Sequence, residues 1–148
     1  MKTWEDFTNY WVVDYEFIVE PGNPPDPICY VAKNLKTGQL IKHWINKSET
    51  KPKYTTDKNS LFIAYYASAE MGCHQALNFK RPLYIVDLFA EFRCLTNGAK
   101  IPSGNSLIGA CDFYGTSSSD ATYKDSMRNR ILEGRPFSEK EQIAILDY

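Results

Sequence analysis

Two carboxylates, Asp14 and Glu16, stand one residue apart in the stretch WVVDYEFIVE. Residues i and i+2 of a strand project to the same face. Asp14 and Glu16 therefore share a face with Val12 and Ile18, while Trp11, Val13, Tyr15 and Phe17 line the other. Neighbouring carboxylates in an apolar setting repel each other and lose hydration. A divalent cation offsets that cost, because hard cations take oxygen ligands. The alternative is a strand whose second face is wet, with both acids solvated. A third acid, Glu70, opens a helical stretch, SAEMGCHQALN, directly after an apolar run. His74 follows Glu70 by one helical turn. It reads as a surface or packing histidine, since a metal site with one neighbouring histidine and no second is unusual.

Composition bounds the chemistry. The 148 residues suffice for one domain with a core, and 43% hydrophobic with 24% charged residues is ordinary for a soluble protein. A net charge of −1 provides no global field for nucleic acid, so any such binding must come from a local patch or a bound metal. Cys29, Cys73, Cys94 and Cys111 form no C-x-x-C pair, which argues against a zinc site or a disulfide framework. Buried free thiols in a reducing, cytoplasmic compartment are the expectation. No apolar run approaches the roughly 20 residues of a membrane span. The start, MKTWEDFTNY, carries acids and no apolar core, unlike a signal peptide.

The elements that must position these acids follow from periodicity and turn residues. After the first strand comes the proline-rich turn EPGNPPDP, then ICYVAKN and LIKHWI as strands joined through Gly38. A polar loop, NKSETKPKYTTDKNS, precedes a fourth strand, LFIAYYA. The helix SAEMGCHQALN has Ser68 as its candidate N-cap, and RPLYIV reads as a fifth strand. Asp87 is placed to cap the helix DLFAEFRCLTNG. SLIGACDFYG and DATYKDSMRNRILEG read as helices, and Ser138 with Glu141 forms a capping box before the last one. The order predicts one α/β domain: an antiparallel three-strand meander plus parallel strands in a mixed sheet flanked by helices.

A D-x-E pair on the first strand and a further acid on the helix after the fourth resemble the ribonuclease H-like 3′–5′ exonucleases of the DEDD type. The likeness is greatest to the proofreading domain of family A DNA polymerases. VVDYEF is similar to the family's first motif, IAYYASAE to its second, and YIVDLFAEFR to the segment in which an Asp starts the next helix. YKDSMRNRILEGRPFSEKEQIAILDY resembles the approach to the third motif, Y-x-x-x-D, with Tyr148 as its tyrosine. Tyr65 and Tyr66 stand where the family has His-Asn. The motif's final Asp falls past Tyr148, so the resemblance implies a single exonuclease-like domain, 1–148, lacking the completion of its C-terminal helix.

The resemblance implies two Mg²⁺ or Mn²⁺ ions held by Asp14, Glu16 and Glu70, with Tyr148 aiming a nucleophilic water. It implies a single-stranded DNA 3′ end as substrate and a polymerase domain on the same full-length chain. Tyr15, Tyr65 and Tyr66 are candidates for stacking on bases. Lys124 and Arg128, at i and i+4, are candidates for a phosphate path, with an exposed helical face as the plainer reading. The loop lysines Lys47, Lys51, Lys53 and Lys58 read as solubilising. Asp147 and Asp112 are the nearest substitutes for the missing acid. Two rival functions are a catalytically incomplete nucleic-acid-binding or polymerase-supporting module, and another ribonuclease H-like nuclease acting on DNA–RNA hybrids.

Overall fold

Three strands in succession, separated by turns that proline and glycine enforce, establish one half of the sheet. The computed structural model describes residues 2–116 and 121–148, the side chains of 121–124 excepted. The meander comprises β1 (Asn9–Ile18), β2 (Asp26–Asn34) and β3 (Leu40–Trp44). Gly38 makes the β2–β3 turn at φ +75°, a left-handed conformation open to glycine at little cost. Then come β4 (Ser60–Ala64), α1 (Ala67–Ala76), β5 (Ile85–Asp87) and α2 (Leu88–Leu95). The remainder is helical: α3 (Leu107–Phe113), α4 (Ala121–Leu132) and α5 (Glu139–Asp147).

The five strands lie in the order β3-β2-β1-β4-β5. β1 pairs antiparallel with β2, and β2 with β3. β1 pairs parallel with β4, and β4 with β5. This is the α/β mixed sheet expected from the element order, in the ribonuclease H-like arrangement. The β1–β4 ladder runs only from Asn9↔Ser60 to Val12↔Ile63, so the second half of β1 has a strand on its β2 side alone. A bulge interrupts the β1–β2 register between Glu16 and Phe17.

Alternation sorts β1 as anticipated. Trp11, Val13 and Tyr15 join Tyr30, Ala32, Phe62 and Ala64 in a core closed by Ala67 and Cys73 of α1, with Phe17 at its margin. The other face is split. Val12 borders a cluster of Phe7, Leu61 and Ile63. Ile18 borders a second cluster, in which Ile131 of α4 and Ile145 of α5 cover Ile28 and Cys29. Burying each such large aliphatic chain contributes about 1.5–3 kcal/mol before entropy is counted.

Of the boundaries that differ from the sequence reading, three lie around α1 and its neighbouring strands. β4 stops at Ala64, because Tyr66 turns the chain at φ +72°. Ser68 lies inside α1 rather than capping it. The first N–H groups of that helix, on Tyr66 and Ala67, are taken instead by the Asp87 carboxylate at 3.1 and 3.0 Å. The fifth strand shrinks to Ile85–Asp87, consistent with Pro82 having no N–H to place in a ladder. Two other caps form as read, Asp87 accepting from Phe89 and Ala90 and Ser138 with Glu141 closing a capping box, while Ser106, read only as the first residue of a helical stretch, caps α3 by accepting from Gly109. Asp120, at the start of the fourth helical stretch, lies outside the described residues. Cys29 and Cys73 are buried free thiols as expected, whereas Cys94 is exposed. Among the described residues no helix is long and apolar enough to cross a membrane.

Candidate active site

Asp14 and Glu16 sit in the seam between the two apolar clusters on their face of β1. Asp14 is exposed and Glu16 half-buried, so this face is neither sealed nor wholly wet. A cleft of about 280 Å³ opens there, between the β1–β3 meander and the end of α5. Asp14, Glu16, Lys33, Lys42, Leu146 and Tyr148 all line it. The strand register accounts for the lysines: Val12 pairs with Lys33, and Asp14 pairs with Val31, which pairs in turn with Lys42.

Tyr148 is brought to the two acids by the packing of Ile145 and Leu146 into the cluster beneath α5. Partial burial raises its phenol pKa above the ordinary value, and the negative charges of Glu16 and Asp14 raise it further. Arg128 on α4 opposes them, while Asp125 adds to them. Asp14, Glu16, Tyr148, Arg128 and Asp125 thus share one electrostatic neighbourhood. The sequence reading missed Asp125, although its position three residues before Arg128 puts both on one side of α4.

Glu70 approaches from elsewhere. Its helix, α1, packs on the opposite face of the sheet, that of Trp11, Val13 and Tyr15. The carboxylate reaches β1 where β4 no longer pairs with it and takes the backbone N–H of Tyr15. The side chain is 3% exposed, and its Oε2 has no hydrogen-bond partner. Burial is the main cause that pushes its pKa up to about 8, with the nearby Asp14 charge adding to it. The Glu70 and Tyr15 N–H groups pull the other way.

The remaining candidates divide. Tyr15 is corrected: it is 3% exposed, with its ring against Tyr30 and His74, so no base can stack on it. Tyr65 is half-buried and donates its hydroxyl to the Asn105 carbonyl at 2.6 Å. Tyr66 is 53% exposed and meets Phe89 edge to face at 5.1 Å, leaving ring surface open beside the start of α1. Arg128 is exposed on α4. The Lys124 side chain lies outside the described residues. Asp147 forms an ion pair with Lys42 beside Tyr148, and Asp112 is exposed on α3. His74 is a packing histidine, 1% exposed.

The donor chemistry fits a hard divalent cation: carboxylate oxygens only, one of them buried and unspent on Glu70. Among the described residues, however, no three such side chains are arranged to hold an ion. Asp14, Glu16 and Glu70 thus have the donor chemistry such an ion takes without forming a three-ligand group.

No protein-family model matches the sequence, and no curated protein matches it significantly. Solved structures do match. Escherichia coli RNase D, an exoribonuclease involved in structured RNA processing, superposes with a TM-score of 0.59 at 13% identity, over 93% of this chain and 35% of that one. Product-bound exonuclease I gives 0.55 at 13% identity, over 96% and 46%. Exonuclease I in its complex with the inhibitor CFAM gives 0.55 at 13%, over 86% and 43%. The chain spans less than half the length of each. It shares the ribonuclease H-like fold of these exonucleases.

Proposed function

We propose that this chain is a metal-dependent 3′–5′ exonuclease domain that hydrolyses phosphodiester bonds at single-stranded DNA 3′ ends, in the context of a polymerase-like protein. One observation carries the reading: Asp14 and Glu16 lie beside Tyr148 in a single cleft, with Glu70, buried and one oxygen unspent, at the edge of the same strand. The shared fold supports it. Asp14, Glu16 and Glu70 would hold Mg²⁺ or Mn²⁺, two ions in all by family resemblance. Bound there, such ions supply an activated water and neutralise charge on the scissile phosphate.

The chain's own residues have separate tasks in this reading. Asp14 and Glu16 fix the position of the 3′ end through the cleft they line. Tyr148, kept protonated by burial and by the two acids, offers a hydroxyl to orient water. Arg128 offsets phosphate charge from the α4 side, and Tyr66 offers a face to a base.

The test is degradation of 3′-labelled single-stranded DNA, and of RNA of the same sequence, with Mn²⁺ or Mg²⁺. Stepwise loss from the 3′ end is expected, falling at least about 10²-fold in Asp14→Asn. Activity unchanged in that variant overturns the assignment. A second reading, a nucleic-acid-binding module without turnover, is favoured by the lack of a three-ligand group among the described residues. It predicts metal-dependent DNA binding with no cleavage.

A further inference from the structure

A buried polar chain runs beneath the candidate site and has no part in the chemistry above. His74 Nδ1 lies 3.2 Å from the Lys80 carbonyl, which can only accept, so Nδ1 carries the proton. Burial lowers the imidazole pKa to about 4 and keeps the ring neutral, leaving Nε2 as an acceptor. Tyr54 therefore donates its hydroxyl to Nε2 at 2.5 Å. The Tyr54 oxygen in turn accepts from the Tyr15 hydroxyl at 2.9 Å. All three side chains are at most 3% exposed, and every donor along the chain is used.

The two ends of this chain matter. Tyr15 stands between Asp14 and Glu16 on β1. His74 stands four residues after Glu70 on α1, and the Glu70 carboxylate takes the Tyr15 backbone N–H. One turn of α1 thus grips one residue of β1 twice, by its main chain through Glu70 and by its ring through His74 and Tyr54. An apolar contact resists separation but tolerates sliding, whereas a hydrogen bond weakens steeply once bent. The arrangement also accounts for a buried tyrosine on an otherwise polar loop: Tyr54 bridges helix and strand.

Resting on the reading of Asp14, Glu16 and Glu70 as the metal-holding acids, we propose that Tyr54 and His74 are positioning residues: the hydrogen bonds between His74 and Tyr54 and between Tyr54 and Tyr15 set the register of the α1 acid against the β1 acids. Tyr54→Phe keeps the ring and removes the link. Tyr15→Phe removes only its last hydroxyl and is the milder change. Ile63→Val, a core change on the other face of β4, is the control for general destabilisation.

Two measurements on the whole chain decide. In Mn²⁺ titration calorimetry, Tyr54→Phe is expected to weaken binding about 10-fold, the lower end for groups that orient metal ligands, with Tyr15→Phe between it and the wild type and Ile63→Val unchanged. In metal-free amide exchange, Tyr54→Phe is expected to speed the Tyr15 amide about 10-fold more than the Ala32 amide of β2, which reports general opening. Equal Mn²⁺ affinity together with Tyr15 exchange in step with Ala32 overturns the proposal, as does the same pattern in Ile63→Val. If the wild type binds no Mn²⁺, the metal reading fails, and the exchange measurement decides the positioning role by the same two outcomes.

Discussion

Glu70 concentrates the energetic tension of the molecule in one carboxyl group. It is buried, pushed up to about pH 8 by desolvation and then by Asp14, and keeps one oxygen unbonded. A raised folded pKa means that the folded chain binds the extra proton, so stability is fullest below the unfolded value of 4.5 and is lost as pH rises toward 8. His74 acts in the opposite sense. Its folded pKa is lowered from 6.5 to about 4, so its contribution is present above 6.5 and lost as pH falls toward 4. The two slopes oppose each other from about pH 4.5 to 6.5, and above that window Glu70 acts alone. Relative to Glu70→Gln, the wild type should lose about 2 kcal/mol between pH 6.5 and 8 in urea titrations. Parallel pH profiles for the two proteins would exclude an ionising Glu70. A cation that binds the carboxylate reverses the loss. Mn²⁺ at about 100 times its dissociation constant should raise the melting temperature by about 5–10 °C, more at pH 8 than at 6.5, and Asp14→Asn should remove most of the rise.

At the scale of elements, the strands were largely legible. Period-2 alternation in WVVDYEFIVE assigned each β1 side chain to its face, but it left open whether the face of Asp14 and Glu16 was wet; the structure puts the acids in a seam between the clusters that Val12 and Ile18 border. Tyr148 was placed beside Asp14 and Glu16 by motif resemblance, not by periodicity. What escaped the sequence was long-range. Alternation put Tyr15 on the face of Trp11 and Val13, but its nearness to the first motif made it a base-stacking candidate, and its buried partners Tyr54 and His74 are what exclude that role. Ser68 has the chemistry of a cap, but an acid 20 residues away from Ala67 took the role, because the parallel β4–β5 pairing brings Asp87 level with Ala64 at the start of α1. Asp87 consequently serves two helix starts, accepting from Tyr66 and Ala67 as well as from Phe89 and Ala90. A single cap is worth about 0.5–2 kcal/mol. Asp87→Ala should cost about 2–3 kcal/mol, above that range for one cap, while Ser106→Ala should stay within it. Equal losses in the two variants, measured by denaturant unfolding, would show that the shared cap adds nothing.

The whole molecule carries 17 basic and 18 acidic residues, so its attraction for a polyanion is not built into its overall charge. On the proposed function it would arise at the cleft, where acids and bases are close together. Lys33 and Lys42 line the same cleft as Asp14 and Glu16, and Arg128 faces Tyr148 from α4. Lys42 is partly spent on Asp147. Without metal, the carboxylates oppose a phosphate as much as these cations attract it. With metal bound, as the proposed function has it, the balance would turn, and a few phosphates would be engaged. The salt dependence of binding then reports how many. Each phosphate neutralised on a single strand contributes about −0.7 to the slope of log K against log salt. A short oligo-dT should therefore bind with a slope of about −1 to −2 in saturating Mg²⁺ at fixed pH, followed by fluorescence anisotropy on the Asp14-intact chain early enough to precede cleavage. Arg128→Ala should flatten that slope by about 0.7. Asp147→Asn, which releases Lys42, should steepen it by a similar amount. A slope steeper than about −4 would mean a long electrostatic track, a surface that a chain of net charge −1 would have to build outside the cleft.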